Sequence, residues 1–351
     1  MPKRSPLRGT ASRKAQHVNL VLRKNVNFRS TSTGLGEWEF VHNALPELDF
    51  ADVDCSTDFL GTRLRAPLMI SCMTGGYGGA LRINRDLARV CQQAGIAMGV
   101  GSQRQALEDT TYHKTFSVVR EMAPGIPIVG NIGAAEVAAM KDATDAQRLV
   151  TMIRADALAV HLNSLQELLQ PEGSPHFRGV LQGITMLTRE LPVPVIVKEI
   201  GAGLSRDVVR RLLEAGVRII DVAGAGGTSW AGVEILRRRE ADRRETFWDW
   251  GIPTATAVRE AASLRAEAPP FTLIASGGIA SGMDVARCLA LGADLAASAR
   301  PMLSALHARG PAGLQAMITQ WITDLRSVMF LTGARTLADL QTRPLVRKAS
   351  L

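Results

Sequence analysis

The amino-acid sequence predicts a single α/β domain in which eight parallel strands and their connecting helices close a (β/α)8 TIM barrel. From residue 66 onwards, short aliphatic runs that end in small polar residues alternate with helical patterns, and eight such runs can be counted. The runs are continuously apolar, as strands of a parallel sheet covered on both faces usually are. A chain of 351 residues is also long enough to build one complete barrel.

The predicted strands follow one another at the spacing of βα units, and a helix that crosses back over the sheet makes neighbouring strands parallel. Helical patterns are clearest at 83–94, 205–215 and 283–291, and each is followed by a glycine that can end a helix. An open doubly wound sheet is the alternative, but it rarely needs eight units, and no GxGxxG motif follows the first strand. The predicted strands are residues 68–72, 97–100, 127–131, 157–161, 195–199, 219–222, 272–276 and 295–298.

The barrel does not use the whole chain, and the sequence divides into three parts. Residues 1–65 form an N-terminal extension predicted to lie over the barrel mouth, residues 66–335 form the barrel, and residues 336–351 form a C-terminal tail. The connection from 224 to 270, between the sixth and seventh strands, is long and includes a charged tract at 237–244. Long connections at this face of a barrel commonly carry function, and the charged tract is predicted to be a solvated loop or lid.

The formal net charge of +8 raises the question of a nucleic-acid partner, but its distribution argues against one. Residues 1–24 carry seven Lys or Arg and no acidic residue, while the rest of the chain has 34 basic and 33 acidic residues. The excess charge therefore belongs to one terminal arm. That arm is either a solvated tail or a segment that folds over an anionic substrate.

The cysteines and the hydropathy pattern indicate a cytoplasmic protein. The four cysteines show no CxxC spacing, and a disulfide framework is not expected in a chain of this size, so reduced thiols are predicted. No apolar run approaches the roughly 20 residues that a membrane helix needs, so no membrane partner is expected.

Polar residues and glycines collect where seven consecutive predicted strands end, and in this barrel fold that edge carries the active site. Lys198 is the most informative of them, because an ammonium group at the end of an aliphatic strand points into the barrel mouth and needs an electron-rich partner. One interpretation is an ion pair with Glu199 or another acid. The other is a cation that faces the N1–C2 carbonyl edge of a flavin.

Two glycine-containing or small-residue loops follow the last two predicted strands, in the position where many barrels bind phosphate. The first contains Gly277 and Gly278 and leads into a helix, and the second contains Ala299 and Arg300. Backbone N–H groups and a helix N-terminus at these loops would supply hydrogen-bond donors. Together with Lys198, the loops predict a site for FMN.

The N-terminal arm and the barrel mouth supply several basic groups that suit a diphosphate. Arg13, Lys14 and His17 lie within five residues of one another, and Arg104 follows the second strand. Arginine binds phosphate through paired hydrogen bonds, and lysine binds it as a point charge. Glu167 would repel a diphosphate unless a divalent cation such as Mg2+ bridged the two. The sequence therefore predicts both a diphosphate substrate and Mg2+.

Taken in order, these motifs resemble those of the type 2 isopentenyl-diphosphate isomerases, from about residue 12 to about residue 335. Both the order and the spacing agree, which makes the match specific. The matching segments are Arg13-Lys14-x-x-His17, His42-Asn43-Ala44-Leu45-Pro46-Glu47, Met73-Thr74-Gly75-Gly76, Met98-Gly99-Val100-Gly101-Ser102-Gln103-Arg104, His161-Leu162-Asn163-Ser164-Leu165-Gln166-Glu167, Gln170-Pro171-Glu172-Gly173, Val197-Lys198-Glu199 and Gly226-Gly227-Thr228-Ser229-Trp230.

The resemblance implies an FMN-dependent enzyme with a diphosphate substrate and Mg2+, and it assigns roles to individual positions. FMN would be held by Ser71, Met73, Thr74, Gly75, Ser102, Asn131, Lys198, Thr228, Gly278, Ile279, Ala280, Ala299 and Arg300. The substrate would be bound by Arg13, Lys14, His17, Ser102, Gln103, Arg104, Asn163 and Gln166. Glu167 would ligate Mg2+, and Gln166 and His161 are the candidate groups for proton transfer. Ala280 stands where the family frequently has Arg, which removes one cation for the FMN phosphate.

The implied reaction interconverts isopentenyl diphosphate and dimethylallyl diphosphate in isoprenoid biosynthesis, with no net redox change. A proton added at C4 generates a tertiary carbocation at C3, and an electron-rich reduced flavin stacked on that carbon would stabilise it. NADPH would supply the reducing equivalents for the flavin. Tetramers and octamers are common in the family, so a homotetramer or homo-octamer is expected.

Two other functions fit part of the pattern. An FMN-dependent 2-hydroxy-acid oxidase or dehydrogenase would share the barrel, Lys198 and the phosphate loops. It also needs a base His and a substrate-binding Arg after the sixth strand, where this chain has Gly226-Gly227-Thr228-Ser229-Trp230. A non-catalytic flavin-binding redox sensor would have no need of the basic arm motif or of Glu167.

Overall fold

A closed barrel of eight parallel strands forms the centre of the protein, as the sequence predicts. The computed structural model describes residues 6–348, and side chains from residue 9 onwards. Each predicted strand is present, and its ends agree with the prediction to within two residues. The strands are β1 (Trp38–Phe40), β2 (Thr57–Phe59), β3 (Thr62–Leu64), the barrel strands β4 (Leu68–Ile70), β5 (Ala97–Gly99), β6 (Ile128–Gly133), β7 (Ala157–His161), β8 (Val195–Lys198), β9 (Ile219–Asp221), β10 (Thr272–Ala275) and β11 (Leu295–Ser298), and finally β12 (Leu345–Arg347).

The barrel strands pair in chain order from β4 to β11, and the barrel closes where β11 pairs with β4. Apolar side chains from every strand fill the interior, among them Met69, Val129 and Ile196. The hairpin of β2 and β3 adds Phe59 and Leu64 to the same apolar cluster, so one end of the barrel is filled. The opposite end, where the strands finish in polar residues and glycines, is the end that can hold ligands.

Helices alternate with the barrel strands and cover their outer face. The three predicted helices are present, and the glycines that follow them, Gly95, Gly216 and Gly292, have positive φ values of 67°, 96° and 111°. The long last barrel helix is broken at Gly310, where φ is 65°. The helices are α1 (Pro6–Arg23), α2 (Ala80–Ala94), α3 (Arg104–Glu108), α4 (Lys114–Met122), α5 (Ala134–Ala139), α6 (Thr144–Ile153), α7 (Ser164–Leu169), α8 (Val180–Glu190), α9 (Arg206–Glu214), α10 (Trp230–Arg237), α11 (Thr254–Ala262), α12 (Gly282–Ala290), α13 (Arg300–Leu331) and α14 (Leu337–Thr342).

The segments on either side of the barrel fold back onto it. Helix α1 is held against α10 by a small apolar cluster of Val21, Val26 and Val233. Strand β12 pairs antiparallel with β1, and α14 packs on α12, so the predicted C-terminal tail is folded up to residue 348. The division of the chain at residues 65 and 335 stays a prediction. The basic residues Lys3 and Arg4 and the last residues, 349–351, lie outside the described residues.

The long connection after β9 is mostly helical and includes α10 and α11. Its charged tract, predicted to be a solvated loop or lid, is solvated only in part. The side chain of Arg237, the first residue of the tract, is only 7% exposed and forms ion pairs with Glu234 and Glu172 at 2.6 and 2.9 Å. Within residues 6–348, no helix is both long and apolar enough to cross a membrane.

Candidate active site

The carboxyl ends of the barrel strands open into one cavity of about 800 Å³, a size within the range of small-molecule sites. The loops that follow the strands form its walls, and α1 contributes a further side. Every site residue predicted from the sequence lines this cavity except Gln103. Their roles in binding and catalysis stay predictions, but the fold brings them together around one space.

Gln103 is not among the residues that line the cavity, and its predicted contact with the substrate stays a prediction that this placement does not support. Its side chain is fully buried, donates to the Leu149 carbonyl at 3.1 Å and accepts from the Asn131 N–H at 2.8 Å. Successive side chains leave a turn in different directions, so Ser102 and Arg104 face the cavity while Gln103 points into the fold. Gln103 therefore supports the strand that positions Asn131.

The two loops predicted to bind phosphate both line the cavity and present unused donors. In the part of the chain that the structure describes, the backbone N–H groups of Gly278, Ile279 and Ala299 donate to no protein acceptor. The N–H of Ala280 is already used by the Asp284 carboxylate, at 3.1 Å. Free N–H groups beside the start of a helix form an anion site, so this donor set fits the phosphate of FMN.

Gly278 and Arg300 adapt these loops further to an anion. Gly278 has φ of 72°, and an added Cβ would lie 2.4 Å from Cγ2 of Thr33, so only glycine fits the loop. Arg300 lines the cavity and donates to Thr228 Oγ1 at 3.4 Å. Burial lowers the pKa of Arg300, as expected for a cation that lacks a carboxylate partner. Ala280 has no charge to offer the FMN phosphate, so Arg300 is the cation that these two loops contribute.

Lys198, at the end of β8, is buried and lines the cavity. Its ammonium donates to the backbone carbonyl of Glu199. The Glu199 carboxylate instead accepts from the backbone N–H groups of residues 200–203 and so anchors the following loop. Burial raises the pKa of nearby Asp221, and the charge of Lys198 opposes that rise. These contacts leave Lys198 as a fixed cation at the cavity wall, which fits the electron-rich edge of a flavin.

His161 pairs with Asn131 and is neutral. The distance from His161 Nδ1 to Asn131 Oδ1 is 2.9 Å. Burial, together with the charges of Lys198 and Lys14, lowers the pKa of His161 to about 3. A ring that is neutral near pH 7 cannot serve as an imidazolium acid, and the roles of His161 and Gln166 in proton transfer both stay predictions.

One face of α1 carries the predicted substrate-binding residues of the arm. Thr10, Arg13, Lys14, His17 and Val21 recur at spacings of three and four residues, so they share one side of the helix and line the cavity. The helix therefore directs the basic motif of the arm into the cavity rather than into solvent. This placement favours the substrate-covering interpretation of the arm over the solvated-tail interpretation.

Lys14 extends into the cavity wall and is part of a group of three cations. Its ammonium donates to the Ser102 carbonyl at 2.7 Å and lies 5.4 Å from the centre of the Phe116 ring. Burial, then the charges of Arg13 and Arg104, lower the pKa of Lys14 to about 7. The positive charges of Arg13, Lys14 and Arg104 repel one another. A bound anion would offset this repulsion and stabilise the charged forms.

A buried carboxylate that the sequence analysis missed, Glu234 on α10, organises another part of the wall. Its Oε1 accepts from Gln166 Nε2 at 2.9 Å and lies 2.9 Å from His17 Nε2, while Oε2 pairs with Arg237 at 2.6 Å. Burial raises the pKa of Glu234, but the contacts with His17 and Gln166 and the charge of Arg237 outweigh it and give a net lowering. The available sequence signal was a single carboxylate inside the apolar run 230–236.

Glu167, the predicted Mg2+ ligand, lies on α7 at the edge of the cavity. Its two oxygens accept from Asn163 Nδ2 at 3.0 Å and from the Ser174 N–H at 2.8 Å. Among the described residues, no group of three or more His, Cys, Asp or Glu side chains could hold a metal ion. Mg2+ commonly takes one or two carboxylates and fills its other positions with phosphate oxygens and water, so a single Glu167 fits.

The donor-rich loops and the buried lysine define a class of protein: a barrel enzyme that binds FMN. The family model for FMN-dependent dehydrogenases matches residues 10–347. The chain is 52% identical over 349 residues to the isopentenyl-diphosphate delta-isomerase of Chlorobium luteolum, which covers 96% of each chain. It is 46% identical over 335 residues to the enzyme of the same name from a Nostoc species, which covers 95% of this chain and 94% of that one. The chain therefore belongs to the FMN-dependent dehydrogenase family, in the branch of the isopentenyl-diphosphate delta-isomerases.

Solved structures agree on the architecture. The crystal structure of mandelate oxidase with (S)-2-phenylpropionate superimposes with a TM-score of 0.67 over 98% of each chain, at 17% identity. A second mandelate oxidase structure, with a difluorinated phenylpropionic acid, gives 0.66 at 17% identity and the same coverage. Identity this low establishes the fold alone.

Replacing Lys198 with Met tests the FMN site directly. Loss of a charge-assisted contact should weaken FMN binding roughly 10- to 150-fold or make the reduction potential of the bound flavin more negative. Both quantities are measurable, by fluorescence titration and by redox titration of the flavin absorbance. A variant that matches wild type in both would show that Lys198 has only a structural role.

Proposed function

We propose that this chain interconverts isopentenyl diphosphate and dimethylallyl diphosphate by flavin-assisted protonation and deprotonation. The observation that carries the proposal is that a set of cations suited to a diphosphate and a buried lysine suited to a flavin line one cavity. Lys14, His161 and Lys198 line the same cavity, and the charges of both lysines lower the pKa of His161, which supports two adjoining sites. The names of the full-length relatives support the same reaction.

The residues of the chain divide between binding and proton handling. When bound, reduced FMN supplies an electron-rich ring that stabilises positive charge developing at C3 of the substrate. Arg13, Lys14 and Arg104 bind the diphosphate and fix the position of the carbon chain. Gln166, held by Glu234, orients or relays a proton at the reacting carbons. Helix α1 covers the site and excludes water from the developing cation.

We further propose that Glu167 would hold Mg2+, which would offset the negative charge of the substrate diphosphate, and that NADPH would be the reductant for the flavin. The support for Mg2+ is the chemistry of the site, since a carboxylate beside a diphosphate requires a cation between them. The support for NADPH is the family resemblance. The site needs reducing equivalents only to prepare the flavin, because the isomerisation itself has no net redox change.

Glu167→Gln should lower the apparent affinity for Mg2+ about tenfold or more, because one charged ligand becomes neutral. At low Mg2+ the variant should be nearly inactive, and added Mg2+ should restore part of the rate. Titrating activity against free Mg2+ after removal of metal with a chelator measures the shift. An activity of the variant that is independent of Mg2+, or a wild type that needs no divalent cation, would contradict the proposed metal site.

The pKa of about 7 for Lys14 predicts a pH dependence of substrate binding. The substrate-free enzyme holds Lys14 charged below that pKa and neutral above it, so kcat/KM should fall as pH rises through about 7. Lys14→Arg should remove this decline, because a guanidinium stays protonated. Ionisation of the substrate is the same for both enzymes, so the comparison of their pH profiles isolates Lys14. Parallel profiles would contradict the assignment.

The proposed reaction has a direct test. The FMN-loaded enzyme is reduced anaerobically with dithionite, supplied with isopentenyl diphosphate and Mg2+ without nucleotide, and assayed for dimethylallyl diphosphate. We expect catalytic turnover under these conditions and no stoichiometric consumption of NADPH when it is added. Failure to isomerise while one NADPH is consumed per product would indicate a reductase instead.

The same preparation distinguishes the two alternative functions. A 2-hydroxy-acid oxidase or dehydrogenase would reduce its flavin on addition of a 2-hydroxy acid. The loop after β9, the sixth barrel strand, offers neither the His nor the Arg that such a substrate needs. A redox sensor would bind FMN but convert no diphosphate. The buried network of Gln166, Glu234 and His17 favours catalysis over both alternatives.

We also propose a cytoplasmic homotetramer or homo-octamer. All four cysteines are free and three are buried, which supports a reducing compartment. The oligomer rests on the family resemblance. Light scattering coupled to size-exclusion chromatography would measure the mass, and a monomer would contradict this part of the proposal.

A further inference from the structure

Gln105, on the short helix α3, has a buried side chain whose polar atoms are unused. Only 2% of the residue is exposed, and neither Oε1 nor Nε2 has a hydrogen-bond partner in the described part of the chain. Buried carboxamides are almost always hydrogen-bonded, and an unpaired one destabilises the folded state. Gln105 nevertheless lines the active-site cavity, so the missing partner would come from the cavity itself.

The surroundings of Gln105 indicate which kind of partner fits. Gly76 has φ of 80° and lies directly beneath both side chains, because an added Cβ would collide with Gln105 Oε1 at 2.9 Å and with Lys14 Nζ at 2.6 Å. The carboxamide oxygen and the ammonium therefore pack over the same glycine as near neighbours, without a hydrogen bond between them. The hydrogen bond from Lys14 to the Ser102 carbonyl, at 2.7 Å, and the Phe116 ring hold the ammonium there.

The charges around this point favour an anion that is bound by neutral donors as well as by cations. Arg13 and Arg104 already lower the pKa of Lys14, after the larger effect of burial. The Glu136 carboxylate pairs with Arg104, at 2.9 Å, and offsets only part of the repulsion. Another cation would increase the repulsion in the free enzyme. A carboxamide N–H can donate to a phosphate oxygen without adding charge.

We propose that Gln105 is a further substrate-binding residue, with Nε2 donating to a diphosphate oxygen and Oε1 accepting from the Lys14 ammonium. This inference rests on the proposed function, which supplies the diphosphate. The carboxamide would connect the cation to the anion and orient both. On this proposal Nε2 is unpaired in the free enzyme because its partner arrives with the substrate, and Oε1 pairs with Lys14 only when the bound anion draws the ammonium and the carboxamide together.

The substitution Gln105→Met keeps the length of the side chain and removes both polar atoms. In the FMN-loaded enzyme, KM for isopentenyl diphosphate should rise roughly tenfold or more, with kcat little changed, because a hydrogen bond to a charged group is lost. The dissociation constant of inorganic diphosphate, measured by calorimetry, should rise by a similar factor. FMN content should equal that of wild type. The melting temperature without substrate should stay the same or rise, because an unpaired buried amide is removed.

Gln103→Met is the matched control, since it makes the same change two residues earlier. That substitution removes hydrogen bonds to Leu149 and Asn131, so it should lower the melting temperature. Gln105→Glu is a second variant, because it keeps the shape but places a negative charge toward the diphosphate. It should weaken the binding of inorganic diphosphate more than Gln105→Met does.

Two results would overturn the proposal. One is an unchanged KM and an unchanged affinity for inorganic diphosphate in Gln105→Met. The other is a fall in melting temperature that accompanies the loss of affinity, as a structural role would produce. If the wild type binds inorganic diphosphate but isomerises nothing, the proposed function fails, while the calorimetric comparison still decides the role of Gln105.

Discussion

Deletion of residues 1–17 is expected to lower kcat/KM for isopentenyl diphosphate by at least about 100-fold while FMN stays bound. The deletion removes Arg13 and Lys14, and the loss of each charge-assisted contact to a phosphate costs about 1.5–3 kcal/mol. Gly278 and Ala299, whose free backbone N–H groups are proposed to bind the FMN phosphate, belong to other segments. Val21 remains to hold the rest of α1. Steady-state kinetics and the flavin absorbance of the purified variant measure the two quantities.

Two double variants of the full-length chain separate the specific contacts from the general charge of the arm. Arg13→Ala with Lys14→Ala should reproduce most of the loss caused by the deletion. Arg23→Ala with Lys24→Ala removes the same charge from exposed positions outside the cavity and should have little effect. Equal losses of kcat/KM in the two double variants would mean that the arm acts only through its overall positive electrostatic field. A small loss on deletion would restore the interpretation of a solvated tail.

The barrel was predictable because its strands are buried on both faces. Burial makes each strand a short, continuous aliphatic run, and the glycine that ends a helix must adopt a left-handed conformation, as Gly95 does. The C-terminal segment was not predictable in the same way. Strand β12 has only three residues and is largely exposed, and its partner β1 lies about 300 residues away along the chain. No local sequence pattern specifies the pairing of β1 with β12, because only the folded barrel brings these two strands together.

The candidate site was predictable to the extent that strand ends specify it. Lys198 and Asn131 follow from the rule that polar residues after parallel strands meet at one edge. Glu234 does not, because its contact with Gln166 joins two helices 68 residues apart, and only their packing brings the carboxylate to the cavity. The opposite directions of Gln103 and Gln105 depend on the turn between β5 and α3, which the residue types alone do not reveal.

Gln166→Leu is expected to lower kcat roughly 100- to 10,000-fold, the range typical of a lost proton-transfer group, while FMN content and the affinity for inorganic diphosphate stay close to wild type. The carboxamide of Gln166 is fixed at both ends: Nε2 donates to Glu234 at 2.9 Å, and Oε1 accepts from Asn163 at 3.2 Å. A group held in this way can present its remaining N–H in one orientation. Leucine has a similar size but neither donates nor accepts. Single-turnover isomerisation by the dithionite-reduced enzyme measures the chemical step.

The size of the loss in kcat distinguishes the role of Gln166 from those of Glu234, which holds it, and of His161. Glu234→Gln keeps the shape of the network but removes the charge that holds Gln166 and His17, so it should lower kcat less than Gln166→Leu. Glu172→Gln changes the outer partner of Arg237, and the charge of Glu172 also acts on Arg13. The Glu172 side chain is half exposed, so this variant should alter substrate affinity more than kcat. His161→Asn should act mainly on FMN binding. The ring is neutral near pH 7 and pairs with Asn131, so we expect it to position Asn131 against the flavin rather than to donate a proton. A larger loss of kcat in His161→Asn than in Gln166→Leu would reverse the two assignments.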